Sequence, residues 1–387
     1  MKPINYKVLY GGVLFGNAER KAIDEVLDKN WWGLSKEGKK FEKELTEVQG
    51  VKRAVFVNSG SSALDIGIRA LNLPKGSEVI VPACEFPTPV ASLIREGLVP
   101  VVVDIDPKNY FMLPDLILKS ISNKTKAILI VYAAGIVGDL DGVLKIAKKY
   151  KLKVIEDNCD GFGGTWKEKM LGTFGEFSAI STHPAHIIST GGGGVLFTNN
   201  DQLADRAIAI RDWGRINDFE NRKKSLGKFP SDCRRYIYSE LGSNYQPLEL
   251  QAAMGRVQLG RLKEFKQARQ RNFNILWEKL TPYQDIFILP KANEAADCCW
   301  YTFPITLKTF PRRKVLNALD NAGIEWRPIL SSNIANQPAF KNHVIRRVKT
   351  PNADKLMTDS FWVSVHPRHS SKVMKFVADT ILKAVST

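Results

Sequence analysis

Between Val51 and Asn199 the chain alternates two hydrophobic textures. Six apolar runs, "RAVFVN", "EVIVPA", "VPVVVDI", "AILIVYA", "KVIEDN" and "GVLFTN", are rich in Val and Ile and bounded by Gly, Pro, Asn or Asp. Apolar side chains at consecutive positions, rather than at every second one, predict strands covered on both faces. Between several of them, "SSALDIGIRALN" and "DGVLKIAKKYK" space their apolar residues as a helix does. Strand–helix–strand alternation predicts an α/β domain around a mainly parallel sheet, with ligands held in the loops after the strands' carboxyl ends.

After Tyr245 the texture changes. "PLELQAAMGRVQLGRLKEFKQARQRNFNILWEKL" reads as one long helical pattern, followed by "WYTFPITLK", "RRKVLNALDNAG", "EWRPI" and a last helix "SSKVMKFVADTILKAV". The expectation is an N-terminal arm and large α/β domain over residues 1–245, then a linking helix and a smaller α+β C-terminal domain over 246–387.

Composition narrows the chemistry. No apolar run approaches the roughly 20 residues of a membrane span, and "MKPINYKVLYGG" lacks the apolar core of a secretory signal. A cytoplasmic protein with no membrane partner is expected. Lys and Arg outnumber Asp and Glu by 56 to 40, for a net charge of +16, which suits an anionic partner. The basic residues are scattered, with only short clusters such as "NRKKSLGK" and "IRRVK", so a small anion such as a nucleotide or phosphate fits better than nucleic acid. Five cysteines, Cys84, Cys159, Cys233, Cys298 and Cys299, form no CxxC pair and indicate neither a disulfide framework nor a zinc site.

Three stretches at strand ends carry candidate chemistry. In "NSGSSALDIGIRAL" a strand gives way to a Ser/Gly turn and a helix; Gly60, Ser61 and Ser62 suit either a bound phosphate or plain N-capping. In "KVIEDNCDGFGG" the acids Glu156 and Asp157 end a strand with Asp160 close behind, as loop caps or as partners for a cationic ring nitrogen. In "STHPAHIISTGGGG", Ser181 and His186 precede four glycines, Gly191 to Gly194, that let a backbone approach a ligand closely. A lone histidine is more often structural than catalytic. His183 is given no role.

In this order and spacing, the motifs resemble the DegT/DnrJ/EryC1/StrS sugar aminotransferases, fold-type I pyridoxal phosphate (PLP) enzymes. "SGSSAL", "EVIVPACEFPTPVASLIREGLVPVVVDIDP", "VIEDNCD", "GTFGEFSAIST", the glycine loop, "NYQPLELQAAMGRVQL" and "GIEWRPIL" carry the likeness over nearly the whole chain. The resemblance implies a PLP-binding large domain. Gly60, Ser61, Ser62 and Ser181 would hold the cofactor phosphate, Phe86 would stack on its ring, and Asp157 would pair with the ring nitrogen, with Asp160 nearby. Asn244 would reach the phosphate of a neighbouring subunit, so a homodimer with shared active sites is expected. Trp32, Arg215 and Arg327 are candidate substrate contacts by position, although packing suits the tryptophan equally.

The sequence also departs from the family. Where the aminotransferases carry the Schiff-base lysine, eight residues before the last glycine, this chain has His186, and no lysine lies between Lys169 and Lys223. An imidazole moves protons but has no primary amine for a Schiff base. The substitution is similar to the nucleotide-sugar 3-dehydratases of the GDP-4-keto-6-deoxymannose type, for which "NWWGLSKEGKKFEKEL", "HPAHI" and "RDWGR" also speak. The implied function is a PLP- or pyridoxamine phosphate (PMP)-dependent lyase that removes the 3-hydroxyl of a nucleotide-diphosphate 4-keto-6-deoxyhexose, with glutamate as possible amino donor and His186 as the acid/base. Alternatives are a nucleotide-sugar aminotransferase using another lysine, or a non-catalytic homologue that binds cofactor or sugar. An iron–sulfur cluster is not expected: Cys159 matches a ligand of the CDP-sugar branch, but "INDFENRKKSLGKF" holds no cysteine and Cys233 cannot complete the set. Gly192 replaces a glutamate usual in the family.

Overall fold

The computed structural model describes residues 6–216 and 236–386. Cys233 and the "NRKKSLGK" cluster lie outside them. An eight-stranded sheet forms the centre, in the order Arg53–Val57, Gly194–Thr198, Phe177–Ser181, Lys153–Asp157, Thr125–Val131, Glu78–Pro82, Val99–Val103 and Ile345–Arg346. Gly194–Thr198 runs antiparallel to both of its neighbours, and the other pairings are parallel. The strands are sealed on both faces, as their unbroken Val/Ile runs predict: Val79, Ile80, Val81, Val101, Val102, Ile128 and Ile130 are fully buried.

Two features of the C-terminal part differ from the sequence reading. The long helical pattern is two helices, Glu249–Gly260 and Leu262–Leu280, which part at Arg261 (φ −99°, ψ 5°). Its apolar spacing runs on through the break, so periodicity alone reads it as one rod. Ile345–Arg346, from the C-terminal part, pairs in parallel with Val101 and Val102 at the edge of the large sheet. Arg347 fastens that edge by pairing with Glu78 at 2.6 Å, and its guanidinium holds the buried carboxyl down to a pKa of about 2.

A second sheet, antiparallel throughout, orders Phe287–Ile288, Thr302–Leu307, Ser360–Ser364 and Trp326–Arg327. The helix Ser371–Ser386 packs against Leu262–Leu280 and Arg312–Asn321 beside it. Val57, Val131, Asp157 and Ser181 all end strands at one edge of the large sheet, and Gly194 begins its antiparallel strand between Val57 and Ser181. That edge faces Tyr301, Arg327 and Trp362 across a cavity of about 1140 Å³.

Candidate active site

One wall of the cavity is the start of the helix Gly60–Leu71. Ser59 caps it, accepting a hydrogen bond from the Ser62 N–H at 3.0 Å. The cap leaves the first-turn N–H groups of Gly60 and Ser61 for a ligand. Ser61 Oγ lies 3.0 Å from Thr88 Oγ1, and both residues line the cavity with Ser181. A Cβ on Gly60 would lie 2.7 Å from Ser181 Cβ, so only glycine lets the turn approach that strand end. Three hydroxyls and a helix N-terminus around a glycine-lined hollow fit a phosphate group.

The strand Lys153–Asp157 separates two acids that the local pattern leaves alike and of which the family resemblance points to Asp157. Successive strand residues point to opposite faces. Glu156 is fully buried and accepts from Tyr132 Oη (2.6 Å) and from the N–H groups of Gly172 (2.9 Å), Phe174 (2.8 Å) and Gly175 (2.7 Å). It is the pin of the loop 172–175. Asp157 lines the cavity and accepts one main-chain bond, from Cys159 N–H at 3.0 Å. Burial raises its pKa, against the opposing bonds from Cys159. A cationic ring nitrogen is the partner such a carboxylate lacks.

His186 and Asp160 face each other, with Nδ1 and Oδ1 3.5 Å apart. Nδ1 has no hydrogen-bond partner among the described residues. Burial first, then His183 and Arg269, lowers the imidazole pKa to about 3. Burial first, then Asp157, pushes Asp160 up to about 8, although Ala134 N–H donates to it at 3.1 Å. Both shifts favour the uncharged forms, a protonated carboxyl and a neutral imidazole. The His186 ring stacks on Tyr301 with centroids 5.1 Å apart and planes 19° apart.

Of the residues anticipated from sequence, Gly60, Ser61, Phe86, Asp157, Asp160, Ser181, His186 and Arg327 line this cavity. Phe86 stands half-exposed at the start of the helix Pro87–Arg95. Arg327 pairs with Glu325 and lies over the Tyr10 ring, 5.6 Å from its centroid. The other four do not line the cavity. Ser62 is buried, and its hydroxyl donates to Asn58 Oδ1 at 2.6 Å. Trp32 is half-exposed in the loop ahead of the helix Lys36–Gln49, where its carbonyl accepts from Glu249 N–H. Arg215 lies over the Trp213 ring. Asn244 is exposed, and its Oδ1 accepts from Gln246 N–H at 3.2 Å.

Tyr10, Thr88, Tyr301 and Trp362 line the cavity without having been singled out from sequence. They come from the N-terminal segment, a helix start and the second sheet, and no local pattern marks them. Glu85, beside Phe86, is fully buried with neither carboxyl oxygen bonded among the described residues, and burial followed by Asp157 drives its pKa far up. Among the described residues no three His, Cys, Asp or Glu side chains are placed to hold a metal ion.

A family profile described as the DegT/DnrJ/EryC1/StrS aminotransferase family matches residues 14–382. The chain is 36% identical to the lipopolysaccharide biosynthesis protein RfbH of Salmonella typhimurium, over 95% of this chain and 89% of that one. It is 33% identical to a GDP-4-keto-6-deoxy-D-mannose 3-dehydratase of Yersinia pseudotuberculosis, over 84% of each. Among solved structures, an E. coli GDP-4-keto-6-deoxy-D-mannose-3-dehydratase with bound hydrated PLP superposes with a TM-score of 0.92 at 27% identity, covering 98% of this chain and 99% of that one.

Proposed function

Because this chain belongs to the DegT/DnrJ/EryC1/StrS aminotransferase family, we propose that it is a PLP/PMP-dependent sugar 3-dehydratase. Its substrate is a nucleotide-diphosphate 4-keto-6-deoxyhexose, and its place is the cytoplasmic synthesis of deoxysugars for surface polysaccharide. The family is PLP-dependent. The observation that carries the reading is His186 in the cavity wall against Asp160, with no lysine lining that cavity among the described residues. The 3-dehydratase names of the relative from Yersinia and of the E. coli structure support it. Among the described residues no helix is long and apolar enough to cross a membrane.

In this reading the Gly60–Ser61 turn and Ser181 hold the cofactor phosphate, while Ser62 keeps the turn in shape. Phe86 covers the ring and Asp157 pairs with its nitrogen. When bound, the cofactor supplies an amine to condense with the 4-keto group and a cationic ring to draw electrons from the reacting carbon. His186, neutral and held against Asp160, accepts a proton at a ring nitrogen and returns one as the 3-hydroxyl departs. Arg327 contacts the substrate from the C-terminal side, and the cavity lies between residues 1–245 and 246–387, which we take as the two domains. The amine comes from glutamate acting on bound PLP or from PMP supplied as such, and Asn244 serves the site of a second copy in a homodimer. No iron–sulfur cluster takes part.

The test is a panel of GDP-, CDP- and dTDP-linked 4-keto-6-deoxy sugars, incubated with PMP or with PLP and glutamate and followed by product mass. A 3-deoxy product is expected from at least one, and its loss in His186→Asn with cofactor binding kept. No 3-deoxy product from any of them would favour the non-catalytic homologue. A pyridoxyl-lysine peptide after borohydride reduction would favour the aminotransferase.

A further inference from the structure

Behind His186 lies a buried cation that this reading leaves without a role. Arg269, on the helix Leu262–Leu280, is 1% exposed. Among the described residues its guanidinium donates only to main-chain carbonyls: Tyr301 at 2.8 Å, Trp300 at 3.3 Å and His186 at 3.3 Å. Its Nε has no partner, and no carboxylate lies within salt-bridge reach among the described residues. Its Cζ sits 6.0 Å from the centroid of Tyr301, the ring on which His186 stacks. A cation buried without a counter-carboxylate is costly, and it acts on every proton equilibrium nearby.

We propose that Arg269 is a positioning residue for His186. Its fork fixes the imidazole through the His186 carbonyl and through Tyr301, and its charge keeps the imidazole the proton acceptor of the pair made with Asp160. The charge disfavours a second cation beside it, and it favours neither ring nitrogen by contact. Burial, the largest cause, and His183 work in the same direction on the imidazole.

The titratable groups that share a cavity with His186 come from several elements. Asp157, Cys159 and Asp160 belong to the end of the strand Lys153–Asp157 and its loop, and His183 to the loop of His186 itself. Tyr301 and Tyr10 face it from the C-terminal part and the N-terminal segment, and His366 shares a second, small cavity with it. Burial and Arg269 also lower the pKa of His366, to about 3, so that ring adds no charge near neutral pH. Arg327 also lines the cavity but is paired with Glu325, so among these groups Arg269 is the standing positive charge with no carboxylate in salt-bridge reach among the described residues.

The proposal rests on His186 as the acid/base residue, but its test needs no turnover. The chain has 5 histidines. With ¹³Cε1-labelled histidine in the full chain as purified, the resonance missing from His186→Asn identifies the residue, and its shift is followed against pH. In the wild type His186 stays neutral well below the ordinary histidine midpoint. Arg269→Gln, which removes the charge, raises the midpoint by about one pH unit or more, a tenfold gain in imidazolium. Arg269→Lys keeps the charge and loses the fork; it lowers thermal stability but holds the midpoint.

A wild-type midpoint near that of a free imidazole would overturn the proposal, even if both variants failed to fold. So would a folded Arg269→Gln with an unchanged midpoint, which is the result a purely structural arginine gives. If the substrate panel yields no 3-deoxy sugar, the function falls while the titration result stands.

Discussion

An alanine at Gly194 would drive its methyl group into the main chain of Ser59 and Gly60. The residue starts its strand between Val57 and Ser181, where three backbones crowd together. Gly194→Ala should therefore cost about 3 kcal/mol or more of stability, measured by urea unfolding. At Gly191 an added Cβ meets nothing within 4 Å, and only the left-handed backbone (φ 78°) resists it, so Gly191→Ala should cost about 1–2 kcal/mol. The four glycines thus differ in kind although the sequence prints them alike. At Gly192, where the family resemblance leads one to expect an acid, an added Cβ would have Gln251 Nε2 as its nearest neighbour at 3.7 Å, and that amide donates to the Gly192 carbonyl at 2.7 Å. Nothing in the structure explains the loss of the acid.

At the scale of one strand, Lys153–Asp157 shows how a pleat divides labour between neighbours. Glu156 accepts four bonds from the interior, so Glu156→Gln sets an amide N–H against donors and should cost about 2–4 kcal/mol. Asp157→Asn should change the stability of the cofactor-free chain by less than about 1 kcal/mol, since its carboxyl has one main-chain partner and faces the cavity. Cofactor affinity should fall instead. Chemical denaturation of both variants, with a spectrophotometric cofactor titration, checks the pair. A large stability loss in Asp157→Asn would make it a second structural pin. The local pattern placed both acids at the strand end and the family resemblance gave the ring nitrogen to Asp157; what frees that acid for it is the face of the sheet that the loop 172–175 covers, which takes up Glu156.

The whole molecule decides whether a site is complete in one chain. Asn244 is exposed, and its stretch also exposes Tyr238 (55%), Leu241 (86%) and Leu248 (48%), an apolar surface that suits a second copy. Co-refolding His186→Asn with Asn244→Ala tests this. If each site borrows Asn244 from its partner, mixed dimers contain one intact site, and about a quarter of all sites in an equal mixture recover dehydration. If each chain is complete alone, no site is intact and the mixture stays at the level of the separate variants.

Much of this architecture follows from the order of residues alone. Unbroken Val/Ile runs alternating with helical spacing fix buried parallel strands, and the phosphate turn, the acid at a strand end and the histidine before the glycines fall at strand carboxyl ends by topology. These are short-range facts, set by φ/ψ preference and by the need to cover apolar faces. The antiparallel course of Gly194–Thr198, the break at Arg261 and the joining of Ile345–Arg346 to the large sheet depend on packing between distant segments. So does the surround of His186. Tyr10, Arg269 and Tyr301 are far from it in sequence and carry no motif, yet Tyr301 stacks on its ring, Arg269 bonds its main-chain carbonyl and Tyr10 lines the same cavity, and burial, then His183 and Arg269, lower its proton affinity. Sequence supplies the imidazole; whether it is a neutral base is settled by dielectric and neighbouring charge, which exist only once the chain is folded.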